Sequence, residues 1–156
     1  MKKVIIFGGM VILIFVALAV VSNLQQTQKA EGNAFGKETL HPATIELKDN
    51  PNYQNIILPE ELENELSKEE AVTVYFYSST CQFCKETTPR LVPIANEKGV
   101  DLVQYNLLEF EDGWEKYDLT ATPTVIHFED GLEKGRLVGA ATNEEFEQFF
   151  EELVLK

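Results

Sequence analysis

The chain's only two cysteines, Cys81 and Cys84, stand two residues apart in YFYSSTCQFCKETTPRLVP, residues 75–93. Thiols at this spacing support three kinds of chemistry: a redox pair, half of a metal site, or a structural staple. Where such a pair opens a helix, Cys81 sits where unpaired N–H groups and the positive end of the helix dipole stabilise a thiolate. Only the thiolate attacks a disulfide, and Cys84, one turn further in, is within reach to resolve the mixed disulfide that results. A structural zinc site needs four ligands; no second CxxC exists, and His41 and His127 lack ligand spacing. A staple closing so short a loop adds little, because its stabilisation grows with loop length. Exchange chemistry is the reading these residues favour, with zinc and staple as alternatives. It needs no metal and no bound cofactor, since the redox group is the cysteine pair itself.

Something must position the pair. Ahead of it, AVTVYFY (71–77) is rich in β-branched and aromatic residues and short enough for a buried strand. Behind it, Cys84, Thr87, Thr88, Leu91 and Ala95 share one helical face. Pro89 and Pro93 interrupt that pattern, so the helix is expected to bend or break in two. Gly99 ends it, and VDLVQYNL supplies the next strand. Tyr53 to Leu58 reads as a short first strand, followed by a helix opened by Pro59 with acids in its first turn. Glu111 to Tyr117 reads as a short helix carrying Trp114. TPTVIHF and GRLVGA form a strand pair joined through Glu129-Asp130-Gly131. Thr142 with Glu145 makes a capping box for a closing helix lined by Phe146, Phe149, Phe150 and Leu153. The early strand–helix alternation and the tightly connected final pair imply an α/β domain with a mixed central sheet and helices on both faces.

The front of the chain is different. Lys2 and Lys3 precede Val4 to Val21, an uncharged run near the minimum length for a membrane-spanning helix. The lysines favour a cytoplasmic N-terminus and export of the rest of the chain. A cleaved signal peptide would look similar, with Ala17-Leu18-Ala19 as its processing site, but that site lies inside the apolar run. Residues 1–21 are therefore read as an anchor, with a signal segment and secretion as the alternative, and residues 22–52 as a flexible polar tether to a domain at 53–156. On both readings the domain lies outside the cytoplasm, attached to the cell membrane on the first. Beyond residue 30 the chain holds 10 basic and 26 acidic residues, net −16. Such a surface repels nucleic acid and anionic headgroups.

From about Tyr53 to Lys156 the chain resembles the thioredoxin superfamily, in the form of a membrane-anchored extracytoplasmic thioredoxin-like protein. The likeness rests on the cysteine pair between VTVYFY and a helix with Pro89, on Pro123-Thr124 in TATPTVIHF, on the Asp130-Gly131 turn and on Gly139 in LVGA. It implies a thioredoxin-like three-layer α/β/α fold with a mixed central sheet. It also implies Cys81 as attacking thiol and Cys84 as resolving thiol. Pro123, in cis, would present the Thr122 backbone to an extended client strand and keep metal ions from the pair; Gly139 would let the client backbone approach. Thr122, Pro123 and Gly139 are thus the expected substrate-binding residues.

The departures are informative. The family consensus has Trp before the first cysteine and Gly-Pro between the two, where this chain has Thr80 and Gln82-Phe83. The family's buried acid falls at Tyr75, which is no base near neutral pH, and its lysine partner at Gln104. Glu86 or a water is left as a candidate for moving the Cys84 proton, and Lys85 as a candidate for favouring thiolate. Gln-Phe supplies no positive charge, unlike the Pro-His of strong oxidases. The expected function is extracytoplasmic thiol–disulfide oxidoreduction on client proteins with thiols or disulfides, in the reducing or isomerising direction. A single span carries no electrons across a membrane, so a reductase needs a donor such as a membrane electron-transfer partner. The alternatives are a thiol oxidase, or a docking module with idle cysteines.

Overall fold

The computed structural model describes the backbone of residues 2–30 and 32–156, and the side chains of 7–22 and 32–156. Its organising element is β1, Val72–Tyr77, whose six residues are all buried. Alternation sends Val72, Val74 and Phe76 to one face of the sheet and Tyr75 and Tyr77 to the other. A strand buried on both faces needs apolar residues throughout, which is what its sequence provides.

β2 (Leu102–Asn106) runs parallel to β1, while β3 (Thr124–Glu129) pairs antiparallel with it and with β4 (Leu132–Val138). The sheet is mixed, four-stranded, in the order β2-β1-β3-β4. The tight β3–β4 connection works because Asp130 and Gly131 both take positive φ, 55° and 70°, the conformation that a two-residue hairpin turn demands. α4 (Gln82–Lys98) and α6 (Asn143–Phe149) cover one face; α3 (Pro59–Ser67) and the single-turn α5 (Gly113–Lys116) cover the other. Thr142 and Glu145 form the expected capping box of α6, and a wider turn carries the chain on from Phe150 to Val154.

Three expectations are corrected. Tyr53–Leu58 is not a strand: a 3₁₀ turn occupies Pro51–Tyr53, Pro59 starts α3, and only a bridge between Ile56 and Gln104 fits in the gap. α4 is not broken in two: one helix runs from Gln82 to Lys98 through both prolines. Pro89 and Pro93 lie four apart on its exposed side, so the carbonyls they orphan, those of residues 85 and 89, face water rather than the core.

The third correction concerns residues 22–52. α1 runs from Lys2 through the apolar segment and on to Ala30; from Asn33 the chain is packed on the domain. Phe35 and Leu40 are buried, with Phe35 6.3 Å from the Phe110 ring. The Lys37 ammonium sits 4.8 Å over Phe110 and bonds the Glu109 carbonyl and carboxylate. The His41 amide donates to the same carboxylate at 2.9 Å, so buried Glu109 has the partners a buried charge needs. α2, Pro42–Leu47, comes next, capped by His41. We call residues 33–50 the strap.

Among the described residues no helix is long and apolar enough to cross a membrane. The described side chains of α1 begin at Phe7, so Val4, Ile5 and Ile6 of the expected anchor fall outside them. From Phe7 to Ser22 they are exposed, apart from half-buried Val11.

A packed strap has a measurable cost of disruption. Leu40→Ala should lower unfolding stability by about 2 kcal/mol, the low end for a buried leucine, read as a shifted urea midpoint; a free tether would give no shift.

Candidate active site

The turn that ends β1 delivers Cys81 to the start of α4. The Cys81 amide donates to the Ser78 carbonyl at 3.0 Å, closing the turn, and Cys81 becomes the N-cap residue of the helix. Its sulfur occupies the place of a capping oxygen: the Cys84 amide donates to Cys81 Sγ at 3.2 Å. Both cysteines are free thiols; Cys81 is half-buried and Cys84 fully buried. One sulfur is open to solvent and the other lies beneath it.

On the other side of Cys81 lies the loop before β3. The Cys81 thiol donates to the Thr122 carbonyl at 3.4 Å. The Thr122–Pro123 peptide bond is cis. The Pro123 carbonyl accepts from the Gly139 amide at 2.8 Å, so Cys81, Cys84, Thr122, Pro123 and Gly139 form one chain of contacts. Gly139 has φ 92° and no neighbour within 4 Å of where a Cβ would stand. Backbone conformation alone therefore calls for glycine there.

Beneath the pair is a cluster of hydroxyls. Thr88 Oγ1 donates to the Cys84 carbonyl at 2.7 Å. Its one proton is thereby used, so the Tyr75 hydroxyl, 2.9 Å away, is the donor to Thr88. Tyr75 stacks on Tyr77, ring centroids 5.7 Å apart, and Tyr53 lies 5.2 Å from Tyr77. Burial, with the Cys84 sulfur next in effect, pushes the Tyr75 hydroxyl well above its ordinary range. Burial foremost, then the Cys81 hydrogen bond, pushes the Cys84 thiol up to about 12. Desolvation without a compensating positive charge favours the neutral form of both groups.

The thioredoxin family profile matches residues 54–152. The chain belongs to the thioredoxin family. Among solved structures it is similar to mitochondrial thioredoxin 3 of Saccharomyces cerevisiae in its oxidized form, at 24% identity and TM-score 0.54, covering 64% of this chain and 92% of that one. A Nicotiana alata thioredoxin aligns at 21% identity and TM-score 0.56, covering 64% and 93%. Reduced Schistosoma mansoni thioredoxin aligns at 25% identity and TM-score 0.53, covering 60% and 90%. No curated protein matches the chain.

Against the thioredoxin pattern, Tyr75 fills the position of the buried acid with a donor instead of a base. Gln104 does not engage the cysteines: its amide donates to the Asn52 carbonyl at 3.0 Å, and its carbonyl oxygen has no partner among the described residues. Glu86 points along the exposed face of α4, where it accepts from Gln82 at 2.9 Å, so it does not approach buried Cys84. Lys85 is exposed on the same face. Of the two histidines, His41 caps α2 and His127 pairs with Thr73 at 3.0 Å. Thr88 reads in the sequence as no more than a helix-face residue; its place four after Cys84, the distance for bonding back to that carbonyl, is the signal that points to its role.

Two outcomes are expected from this asymmetry. In the reduced protein near neutral pH, iodoacetamide should modify Cys81 and leave Cys84 unlabelled until the chain is denatured, read by peptide mass mapping. Because Cys84's thiol is held above its ordinary value of 9.0, the stability gained by keeping it protonated is complete below pH 9 and is lost as pH rises towards 12. Cys84→Ala should therefore lose less stability than the parent across that window, read by urea unfolding; equal losses would refute the assignment.

Proposed function

We propose that this protein is a thiol–disulfide oxidoreductase that reduces disulfides in client proteins. The observation that carries the reading is the half-buried Cys81 sulfur, held by the Cys84 amide and lying 3.4 Å from the Thr122 carbonyl. A client strand laid along Thr122 and Pro123 would pass its disulfide over that sulfur.

The exchange proceeds in two balanced steps. Cys81 thiolate attacks one client sulfur; the client S–S bond breaks, a Cys81–client mixed disulfide forms, and the other client sulfur leaves as thiolate and takes a proton. Cys84, once deprotonated, attacks Cys81 Sγ; the mixed disulfide breaks, the second client thiol leaves, and a Cys81–Cys84 disulfide remains. The client gains two electrons and the pair loses two. A thiol or dithiol donor must then re-reduce the pair. Among the described residues no carboxylate contacts Cys84, so its proton leaves through water or to the client thiolate released in the first step.

Gln82-Phe83 puts no cation beside the pair, which favours a stable disulfide and hence the reducing direction. Phe83, 62% exposed, offers an apolar contact next to the reacting sulfur instead. We further propose that Val4 to Val21 anchors the domain to the cell membrane, with the redox site outside the cytoplasm and a membrane partner as electron donor. What supports this is the pair of lysines before an uncharged run and its exposed apolar side chains, including Phe7, Leu13 and Phe15.

With dithiothreitol as donor, the full-length protein should accelerate insulin reduction, measured as turbidity. Cys81→Ser should abolish this. Cys84→Ser should lose turnover while accumulating Cys81–client mixed disulfides on non-reducing gels. Absence of acceleration by the parent protein, with Cys81 alkylating only at the rate of a free thiol, would favour the docking module instead.

A further inference from the structure

The strap lies ahead of the residues matched by the thioredoxin profile, and it reaches the redox turn. Thr44, on α2, has its hydroxyl 3.0 Å from that of Ser79, two residues before Cys81. The Asn106 side-chain amide, at the end of β2, donates to Ser79 Oγ at 2.8 Å and to Thr44 Oγ1 at 3.4 Å. All three residues are buried, Ser79 and Asn106 completely. Asn106 Oδ1 in turn accepts from the Leu108 amide at 3.1 Å. Both amide hydrogens of Asn106 and one hydroxyl hydrogen thus close one triangle, in which both hydroxyl oxygens take part.

The triangle holds the middle of the turn whose ends are set by the Cys81 amide and the Ser78 carbonyl. Its two bonds are what tie the Ser79 side chain down. We propose that Thr44 is a positioning residue for the redox pair, fixing the Ser78–Thr80 turn through Ser79 and Asn106 and so holding Cys81 Sγ over the Cys84 amide. This rests on the exchange reading above and assigns part of the site to a segment outside the matched domain.

The consequence has a direction. The N–H···S contact stabilises the reduced pair, and a charged sulfur accepts such a bond more strongly than a neutral one. Loosening the turn weakens that contact, so the disulfide gains relative to the dithiol and Cys81 becomes a slower nucleophile. Apolar filling of the same space would stabilise the fold equally well and leave this contact slack.

The test uses the full-length chain. Thr44→Val removes the hydroxyl and keeps the shape. The Cys81–Cys84 equilibrium is titrated with reduced and oxidised glutathione, and Cys81 alkylation is timed at fixed pH. We expect Thr44→Val to shift the equilibrium about threefold or more towards the disulfide and to slow alkylation by a similar factor, with Thr44→Ser restoring both. An unchanged equilibrium and rate in a variant whose circular dichroism and melting show a folded protein would overturn the proposal. Should Thr44→Val not fold, Ser79→Ala cuts the triangle from its other corner, with the same expected shift and the same refuting outcome. A parent protein that forms no Cys81–Cys84 disulfide in glutathione would instead bring down the exchange reading itself, a failure seen before any variant is compared.

Discussion

The hydrogen bond from the Cys84 amide to the Cys81 sulfur is the contact on which the site depends. Helix N-termini leave backbone donors without partners, and most helices offer an oxygen to one of them. Here sulfur takes that place, at 3.2 Å. The requirement that caps the helix also aims a dipole at the Cys81 sulfur. The same geometry forces an asymmetry between the cysteines: the cap residue stands outside the helix and half-exposed, while the residue three further on turns inward and is fully buried. Exposure is divided between the two thiols by position, before any neighbour acts on either.

The neighbours then sharpen the division. A carboxylate beneath Cys84 would offer a place for its proton; Tyr75 offers only a hydroxyl that is already donating to Thr88. Tyr53 and Tyr77 close the remaining space with aromatic surface. The result is a buried floor of aromatic rings and hydroxyls with no charged side chain among the described residues, which explains why burial is the largest influence on both Cys84 and Tyr75. Burial without a basic neighbour holds the inner thiol of this fold in its neutral form near neutral pH.

What could be read in the sequence was what local chemistry decides. The buried strand, the Asp130-Gly131 turn and the Thr142–Glu145 box each rest on residues within a few positions of one another, and the structure has all three. Cys81, Cys84, Thr122, Pro123 and Gly139 were reachable through their register in a known family pattern, and the fold brings them into contact. The strap was not legible. Phe35 and Leu40 are isolated apolar residues in a polar stretch, and their burial depends on Phe110, far along the chain. The expected break in the helix is absent for a related reason: a proline's cost depends on which way the orphaned carbonyl faces, and that is settled by packing, not by the proline.

The strap also changes what counts as the domain. Its three kinds of anchorage differ in what they could transmit. Phe35 and Leu40 bury surface, a contact that tolerates sliding; Lys37 and His41 neutralise Glu109, a contact fixed in place but remote from the sulfurs. Only the Thr44 triangle is both directional and joined to the redox turn. Hydrogen bonds weaken steeply once their angle is lost, whereas dispersion contacts have no preferred direction. The Thr44 triangle is thus the directional link between the strap and the turn that carries Cys81, beside the apolar contact that Leu47 makes with the core around the cysteines, and a segment that composition alone presents as a spacer is packed against the site.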